Sequence, residues 1–226
     1  MTLQELKSQF PAAPEYLTQI FLIERDHGIV PNARLADRLE VSRPAVSQAV
    51  GRLKKLGLVD QDRYGAIGLT QEGRTVAENV VKRHFLVEHV LVGILNYPWD
   101  KSDVEAETLQ ASLSDELTSF LVKKLGNPQT CPHGNPMPGS AIEKAYLEAP
   151  SLEDAGVGTK IKIIRITEEG EMTDGMLSFC QENGIEPGRK VTVVEQQPGK
   201  GTLCEIEGRE LHIPSVFSAN LRWEAA

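Results

Sequence analysis

Between Ala33 and Val59 the apolar and polar positions of ARLADRLEVSRPAVSQAVGRLKKLGLV alternate with helical spacing on either side of a short break. Leu35, Ala36 and Leu39 form an i, i+1, i+4 stripe that suits one buried face and predicts a first helix ending near Glu40. Val41 is expected to supply a core contact in the turn. Ser42 is placed to cap a second helix starting at about Arg43, with Pro44 tolerated in its first turn. The apolar face of that helix is Val46, Val50, Leu53 and Leu56, and Arg43, Ala45, Ser47, Gln48 and Arg52 fall on the other side. Gly57 closes it. LVDQDRYGAIGLTQEGR then reads as two short strands around a turn at Arg63 to Gly65. A helix, a tight turn, a helix with a small polar outer face and a wing predict a DNA-reading head, because such a face lies deep in the major groove, where Gln pairs with adenine and Ser serves several base edges.

The same periodicity predicts a supporting helix from Pro14 to His27, through Tyr16, Leu17, Ile20, Phe21 and Ile23, with Gly28 at its end. After the wing, one long helix is expected from Thr70 to Asn96 and, past the interruption YPWDKS, another from Ser102 to Leu125. Val76, Val80, Val87, Leu91, Ile94 and Leu95 on the former and Val104, Leu109, Leu113, Leu117, Phe120 and Leu121 on the latter expose more apolar surface than a small head covers. This predicts a homodimer interface, which also suits a palindromic DNA site. From Thr130 to Gly158 the chain reads as an irregular connection. Beyond it the period changes from helical to alternating: KIKIIRI, KVTVVEQQ, GTLCEIEG and RELHIP read as short strands and DGMLSFCQENGI as a short helix, together a small barrel.

The net charge of −8 changes this picture only when divided along the chain. Residues 1–72 carry nine basic and nine acidic side chains, and residues 73–226 carry fifteen and twenty-three. Within Ala33 to Leu56 six basic residues face only Asp37 and Glu40, so attraction to phosphate is local although the protein is acidic. No apolar run approaches the ~20 residues that span a bilayer, and MTLQELKSQF lacks the order of a signal peptide, so a cytoplasmic protein with no membrane partner is expected. The three cysteines, Cys131, Cys180 and Cys204, do not resemble a disulfide framework, and the last two have core-type neighbours.

Candidate chemistry lies elsewhere. His84 and Glu88 are one helical turn apart and interrupt an apolar stripe, which demands partners: a divalent cation is one solution, and a His–Glu hydrogen bond in a wet cleft is another. Cys131-Pro132-His133-Gly134 offers a thiolate and an imidazole able to reach one ion. Asp103, Glu107 and Gln110 make a polar row that reads most simply as an exposed face. Nucleophile elbows, phosphate loops and His-Glu-x-x-His patterns do not occur, so neither an enzyme nor a small organic substrate is expected.

EYLTQIF, RPAVSQAVGRLKKLGLV, KRHFLVEH and CPHGNPMPG together resemble the metal-dependent repressors of the diphtheria toxin repressor and manganese transport regulator family, over nearly the whole chain. The resemblance implies an α+β protein: an N-terminal winged helix-turn-helix over residues 1–72, an all-helical dimerisation and metal-binding domain with linker over 73–149, and a C-terminal small SH3-like β-barrel, FeoA-like, over 150–226. It implies that Mn(II) or Fe(II) favours a dimer on double-stranded operator DNA. Ser42, Pro44, Ser47 and Gln48 would hold DNA-contact positions, with Ala45 where some members have Thr, beside Arg43 and Arg52 and with Arg63 in the wing. Members sharing Cys-Pro-His-Gly use its Cys and His, the helix Glu and an acidic barrel residue, which here gives Cys131, His133 and Glu88. Asp174 aligns best as the fourth ligand, Glu171 is close enough to compete, and His84 can join or replace either. The family's other site falls on Glu15, Glu107, Gln110 and Ala111. Loss of its Glu–His pair leaves a site that is absent or weak, holding an ion only through Glu15 and Glu107, with Asp103 near. The alternative is a regulator that responds to oxidants or needs no metal, sensing through Cys131.

Overall fold

In the computed structural model of the chain, residues 3–61 and 65–226 are described, and they fall into two compact units, residues 1–83 and 84–226.

The first unit opens with α1 (Leu3–Gln9), α2 (Ala13–His27), α3 (Asn32–Arg38) and α4 (Arg43–Lys55), followed by β1 (Val59–Gln61) and β2 (Ile67–Leu69). Gly28 ends α2 in the left-handed conformation, its amide donating to Glu24 O at 2.8 Å. Ser42 caps α4 by accepting from Ala45 N at 3.3 Å. Leu35, Val46, Val50 and Leu53 are buried with Leu17, Ile20 and Phe21 of α2, so the two helices of the turn share a core with their support. Val41 departs from expectation. Its side chain is 38% exposed, and its contribution is made by the backbone, whose amide donates to Ala36 O at 3.0 Å and closes α3 after Glu40 turns left-handed. Strands β1 and β2 pair antiparallel as the two arms of the wing, and the turn with Arg63 lies outside the described residues.

Helix α5 (Gln71–Gly93) starts in this unit and continues into the next. Gly73 at its start is required by close approach, since a Cβ there would lie 1.9 Å from Leu58 O. The second unit continues with α6 (Ser102–Gln110) and α7 (Asp115–Lys124), then α8 (Glu143–Leu147). The sequence pattern joined α6 and α7 into one helix. They are separate because Ser114 accepts from Leu117 N at 3.1 Å, and Asp115 and Glu116 complement the dipole of a new first turn. Ile94, Leu95, Val104, Leu117 and Phe120 are left exposed on this helical part.

The C-terminal part is β3 (Lys160–Ile166), α9 (Glu168–Glu171), α10 (Met176–Asn183), β4 (Lys190–Gln197), β5 (Gly201–Ile206), β6 (Arg209–Pro214), α11 (Ser215–Ser218) and β7 (Leu221–Ala225). Its strands form one antiparallel sheet in the order β6-β5-β4-β3-β7. Ile161, Ile163, Ile166, Val191, Val193, Cys204 and Ile213 bury one face of the sheet together with Leu177 and Cys180 of α10. Between Ile163 and Arg165 the pairing with β7 shifts by one, three residues of β3 opposing Trp223 and Arg222. This bulge lets both Ile163 and Ile166 join the core while Arg165, 1% exposed, is directed elsewhere.

Candidate metal centre and reading helix

Four segments of the second unit meet around Glu88. Helix α5 supplies His84 and Glu88, one turn apart, and Glu88 is fully buried. The loop from Cys131 to Asn135 supplies a thiol and an imidazole, and it is tightly closed: Cys131 N donates to Asn135 O at 2.8 Å and Gly134 N to Cys131 O at 3.0 Å. It is stitched to β3 by the bond from Ile166 N to His133 O, 2.9 Å. The approach leaves no space for a side chain at Gly134, where φ is 93° and a Cβ would stand 2.1 Å from Ile164 O. Short helix α9, capped by Thr167 through Gly170 N, turns Glu168 and Glu171 inward.

The distances define one cluster. His133 Nδ1 lies 3.1 Å from Glu88 Oε1 and 3.5 Å from Glu171 Oε1, and Cys131 Sγ lies 4.0 Å from the same Glu171 oxygen. His133 Nε2 donates to Trp99 O at 3.0 Å, which commits that nitrogen and leaves Nδ1 toward the carboxylates. The Trp99 ring packs on the imidazole with centroids 4.5 Å apart, and its Nε1 donates to Pro132 O. His89, one residue further along α5, holds the start of the loop through Thr130 O at 2.6 Å. On the other side of Glu88, His84 Nε2 is 3.7 Å from its Oε1 and 3.0 Å from Asp103 Oδ1 of α6.

The electrostatics are those of donors crowded without enough positive charge. Burial is the largest single influence on Glu88 and raises its pKa, but the charges and hydrogen bonds of His133 and His84 together outweigh it and hold the carboxyl down at about 2. Burial and then the charges of Glu168, Glu88 and Asp103 push Glu171 well up, against the lowering effect of Arg165. Burial, followed by Glu88, Glu171 and Glu168, pushes the Cys131 thiol far above its usual value. Cys131 is thereby held as a 2%-exposed thiol, the opposite of the exposed thiolate that an oxidant sensor requires. Both oxygens of Glu88, Nδ1 of His133 and Oε2 of Glu171 are buried without an aligned hydrogen-bond partner among the described residues. Unsatisfied buried donors of this kind are costly, and a divalent cation satisfies them together. An imidazole, carboxylates and a thiolate also suit such an ion chemically.

The structure brings together Glu88, Cys131, His133 and His84, and with them Glu171, not Asp174. Asp174 is exposed beyond the end of α9, whereas Glu171 is 8% exposed and its carboxylate faces the loop. Asp103 stands with His84 and Glu88, not in a separate group with Glu107, which is exposed on α6. Glu15 is exposed on α2, in the other unit. Two supporting residues were not singled out by the sequence. Asn135, fully buried, donates from Nδ2 to Ile166 O at 2.9 Å and to Glu171 Oε1, and its Oδ1 accepts from Arg165 Nε. This chain fixes Glu171 and places one buried guanidinium behind it.

On the reading helix, Ser42, Arg43, Pro44, Ser47 and Gln48 are exposed and Ala45 is half-buried. Ser47 Oγ donates to Arg43 O and accepts from Asn32 Nδ2. Arg52 is held by its own unit, its guanidinium 4.2 Å from the centre of the Phe10 ring and donating to Gln9 O at 3.2 Å.

Comparison with known proteins places this arrangement. Residues 11–67 match the N-terminal DNA binding domain of iron dependent repressors, residues 70–139 their metal binding and dimerisation domain, and residues 151–224 the FeoA domain. The chain is 34% identical to the iron-dependent repressor IdeR of Mycobacterium tuberculosis over 208 residues, covering 86% of this chain and 88% of that protein. It is 32% identical to the diphtheria toxin repressor of Corynebacterium diphtheriae over 217 residues, covering 92% and 95%. A manganese-dependent transcriptional repressor solved in complex with manganese superposes with a TM-score of 0.80 at 29% identity, over 95% of this chain and all of that one.

Proposed function

The chain belongs to the diphtheria toxin repressor and manganese transport regulator family of metal-dependent repressors, and we propose that its regulatory ion is held by Glu88, Cys131, His133 and Glu171. It is a repressor of metal homeostasis genes, not an enzyme, and it works with Mn(II) or Fe(II). It binds operator DNA and forms homodimers. The observation that carries the ligand assignment is the set of buried, unsatisfied polar atoms of Glu88, His133 and Glu171, the histidine standing on the loop that is stitched to β3.

The finer reading follows. Residues 1–72 form the DNA-reading head, 73–149 the dimerisation part and 150–226 a domain of SH3-like fold, in a cytoplasmic protein without a membrane partner or a small organic substrate. No helix among the described residues is long and apolar enough to cross a membrane. Ile94, Leu95, Val104, Leu117 and Phe120 form the apolar surface that a second copy covers. Ser47 and Gln48 contact base edges, while Ser42, Arg43 and Arg63 serve phosphates. Arg52, engaged by Phe10 and Gln9, acts by holding the helix in place. The ion favours the DNA-competent state only by its differential affinity for that state, typically ~1–3 kcal/mol.

An anaerobic operator titration at fixed salt tests this. Mn(II) or Fe(II) is expected to tighten binding by roughly 5–150-fold over chelated protein. Gln48→Ala is expected to weaken the metal-loaded complex by ~1–3 kcal/mol, and only on sequences carrying the base it reads. Equal affinity with and without metal would sink the proposal.

The pH dependence has a definite sign. In metal-free protein burial and neighbouring carboxylates raise the pKa of both Cys131 and Glu171, favouring their protonated forms. Burial is the largest single influence on His133 and lowers it, but the charge and hydrogen bond of Glu88, with the Trp99 carbonyl and the charge of Asp103, together outweigh it and its pKa is raised. The ion takes these groups deprotonated, so binding releases protons and tightens as pH rises. The raised histidine favours the metal-free fold fully below its unfolded value near 6.5 and ceases to do so as pH climbs through the folded one. The melting-temperature increase given by Mn(II) should therefore widen between about pH 6 and pH 8. A constant increase, with no protons released in a weakly buffered titration, would contradict these assignments.

A further inference from the structure

Trp99 opens a short 3-10 turn, Trp99–Lys101, and meets His133 with both its backbone and its side chain. Its carbonyl accepts from His133 Nε2 at 3.0 Å, its ring centroid stands 4.5 Å from that of the imidazole, and its Nε1 donates to Pro132 O at 3.1 Å. A carbonyl only accepts, so the nitrogen facing it carries a hydrogen. A neutral imidazole then presents its lone pair at Nδ1, the atom that faces Glu88 and Glu171. The indole thus holds the ring from one face and holds the loop through the residue before it.

The turn is itself anchored to α10. Asp100 N donates to Gln181 Oε1 and Ser178 Oγ donates to Asp100 Oδ2, both at 3.1 Å. Ser102 Oγ donates to the same Trp99 carbonyl at 2.9 Å. The indole also packs against the apolar core of the C-terminal sheet, as Trp223 does. The two tryptophans of the chain are therefore a matched pair: each is half-buried against that core and each donates Nε1 to a backbone carbonyl, Trp223 to Ser151 O at 2.8 Å. Of the two, Trp99 is the one whose ring lies on a ligand.

We infer that Trp99 is a positioning residue of the metal centre, one that keeps His133 in its binding orientation before the ion arrives. This rests on the assignment of His133 as a ligand above. The indole acts by preorganisation: a loop that presents His133 correctly only about a tenth of the time binds an ion about tenfold more weakly. Because the same ring packs on the core of the sheet, a ligand on the connecting loop takes its orientation from the folding of the C-terminal part.

The test titrates the whole chain, stripped of metal, with Mn(II) and Co(II), reading affinity by calorimetry and the cobalt spectrum by absorption. Native protein is expected to show a thiolate-to-cobalt band from Cys131. Trp99→Leu should weaken both metals by roughly 10–100-fold, the range for groups that orient a ligand. It should keep the thiolate band and shift the ligand-field bands of cobalt as the imidazole leaves its place. Trp99→Phe, which keeps a ring on His133 but cannot donate to Pro132 O, should recover most of the loss. Trp223→Leu should lower the urea midpoint, as Trp99→Leu does, yet bind metal as tightly as native protein. Native affinity in Trp99→Leu, or equal weakening in Trp99→Leu and Trp223→Leu, overturns the inference and leaves the ligand assignment standing. Should Trp99→Leu not fold, Trp99→Phe is expected to bind metal more weakly than Trp223→Phe, and equal affinities of those two overturn it. Native protein without the thiolate band overturns the ligand assignment and this inference with it.

Discussion

Glu88→Gln is expected to reduce the operator affinity of metal-saturated protein to that of the metal-free form, a loss of roughly 5–150-fold. The amide keeps the shape of the side chain but removes the charge that His133 faces at 3.1 Å and His84 at 3.7 Å. Without metal, the same substitution should change unfolding free energy by less than ~2 kcal/mol. Breaking a buried ion pair is costly when it strands a charge, but here both partners are histidines, and either can shed its proton. The stabilisation lost should be that given by the ion. Melting curves with and without Mn(II) separate the two effects: the native protein gains with metal, and the variant should gain almost nothing. A variant that still tightens on DNA in Mn(II) would remove Glu88 from the site.

Gly134→Ala should be the more damaging change to the fold. Two costs combine at that position. An alanine at φ 93° meets the ordinary left-handed penalty, ~1–2 kcal/mol. It also drives a Cβ to 2.1 Å from Ile164 O and 2.8 Å from Arg165 Cα, both backbone atoms of β3 that cannot swing aside. The loop must lift, which breaks the bond from Ile166 N to His133 O and carries Cys131 and His133 away from Glu88. A total of ~3 kcal/mol or more is expected, with loss of Mn(II) binding. Gly139→Ala provides the comparison, since Gly139 has φ 74° but open space where its Cβ would go. It should show the left-handed penalty alone. Equal destabilisation of the two variants in urea unfolding would show that close approach at Gly134 contributes nothing.

Much of this arrangement is legible in the sequence because it is written in local signals. Ser42 with Pro44 marks the start of α4, and Cys-Pro-His-Gly announces a loop with two soft or borderline donors. What escaped was of two kinds. The break between α6 and α7 has a local signal, Ser114 before Asp115 and Glu116, which the continuing apolar periodicity concealed. The choice between Glu171 and Asp174 has none: both are acidic, three residues apart, and only the course of α9 decides which turns inward. Asn135 is an unremarkable loop residue until its three hydrogen bonds are seen. Arg165 was detectable by the reasoning that picked out His84 and Glu88, since a guanidinium within KIKIIRI must find a partner.

The bulge in β3 determines that Arg165 finds it. In a regular strand of the same sequence, Ile161 and Ile163 facing the core would be followed by Arg165, and Ile166 would point to the carboxylates. One residue in excess of the partner strand reverses the phase, so the guanidinium reaches Asn135 and the isoleucine reaches the core. The electrostatic partner of Glu171 is therefore encoded in the parity of a chain length. Loss of Ile164 from β3 would preserve that parity, whereas one residue added opposite it, between Arg222 and Trp223, would invert it with every side chain of the site unchanged. Relatives that share all the ligands can thus differ in metal response through a single insertion that no comparison of ligand identities would register.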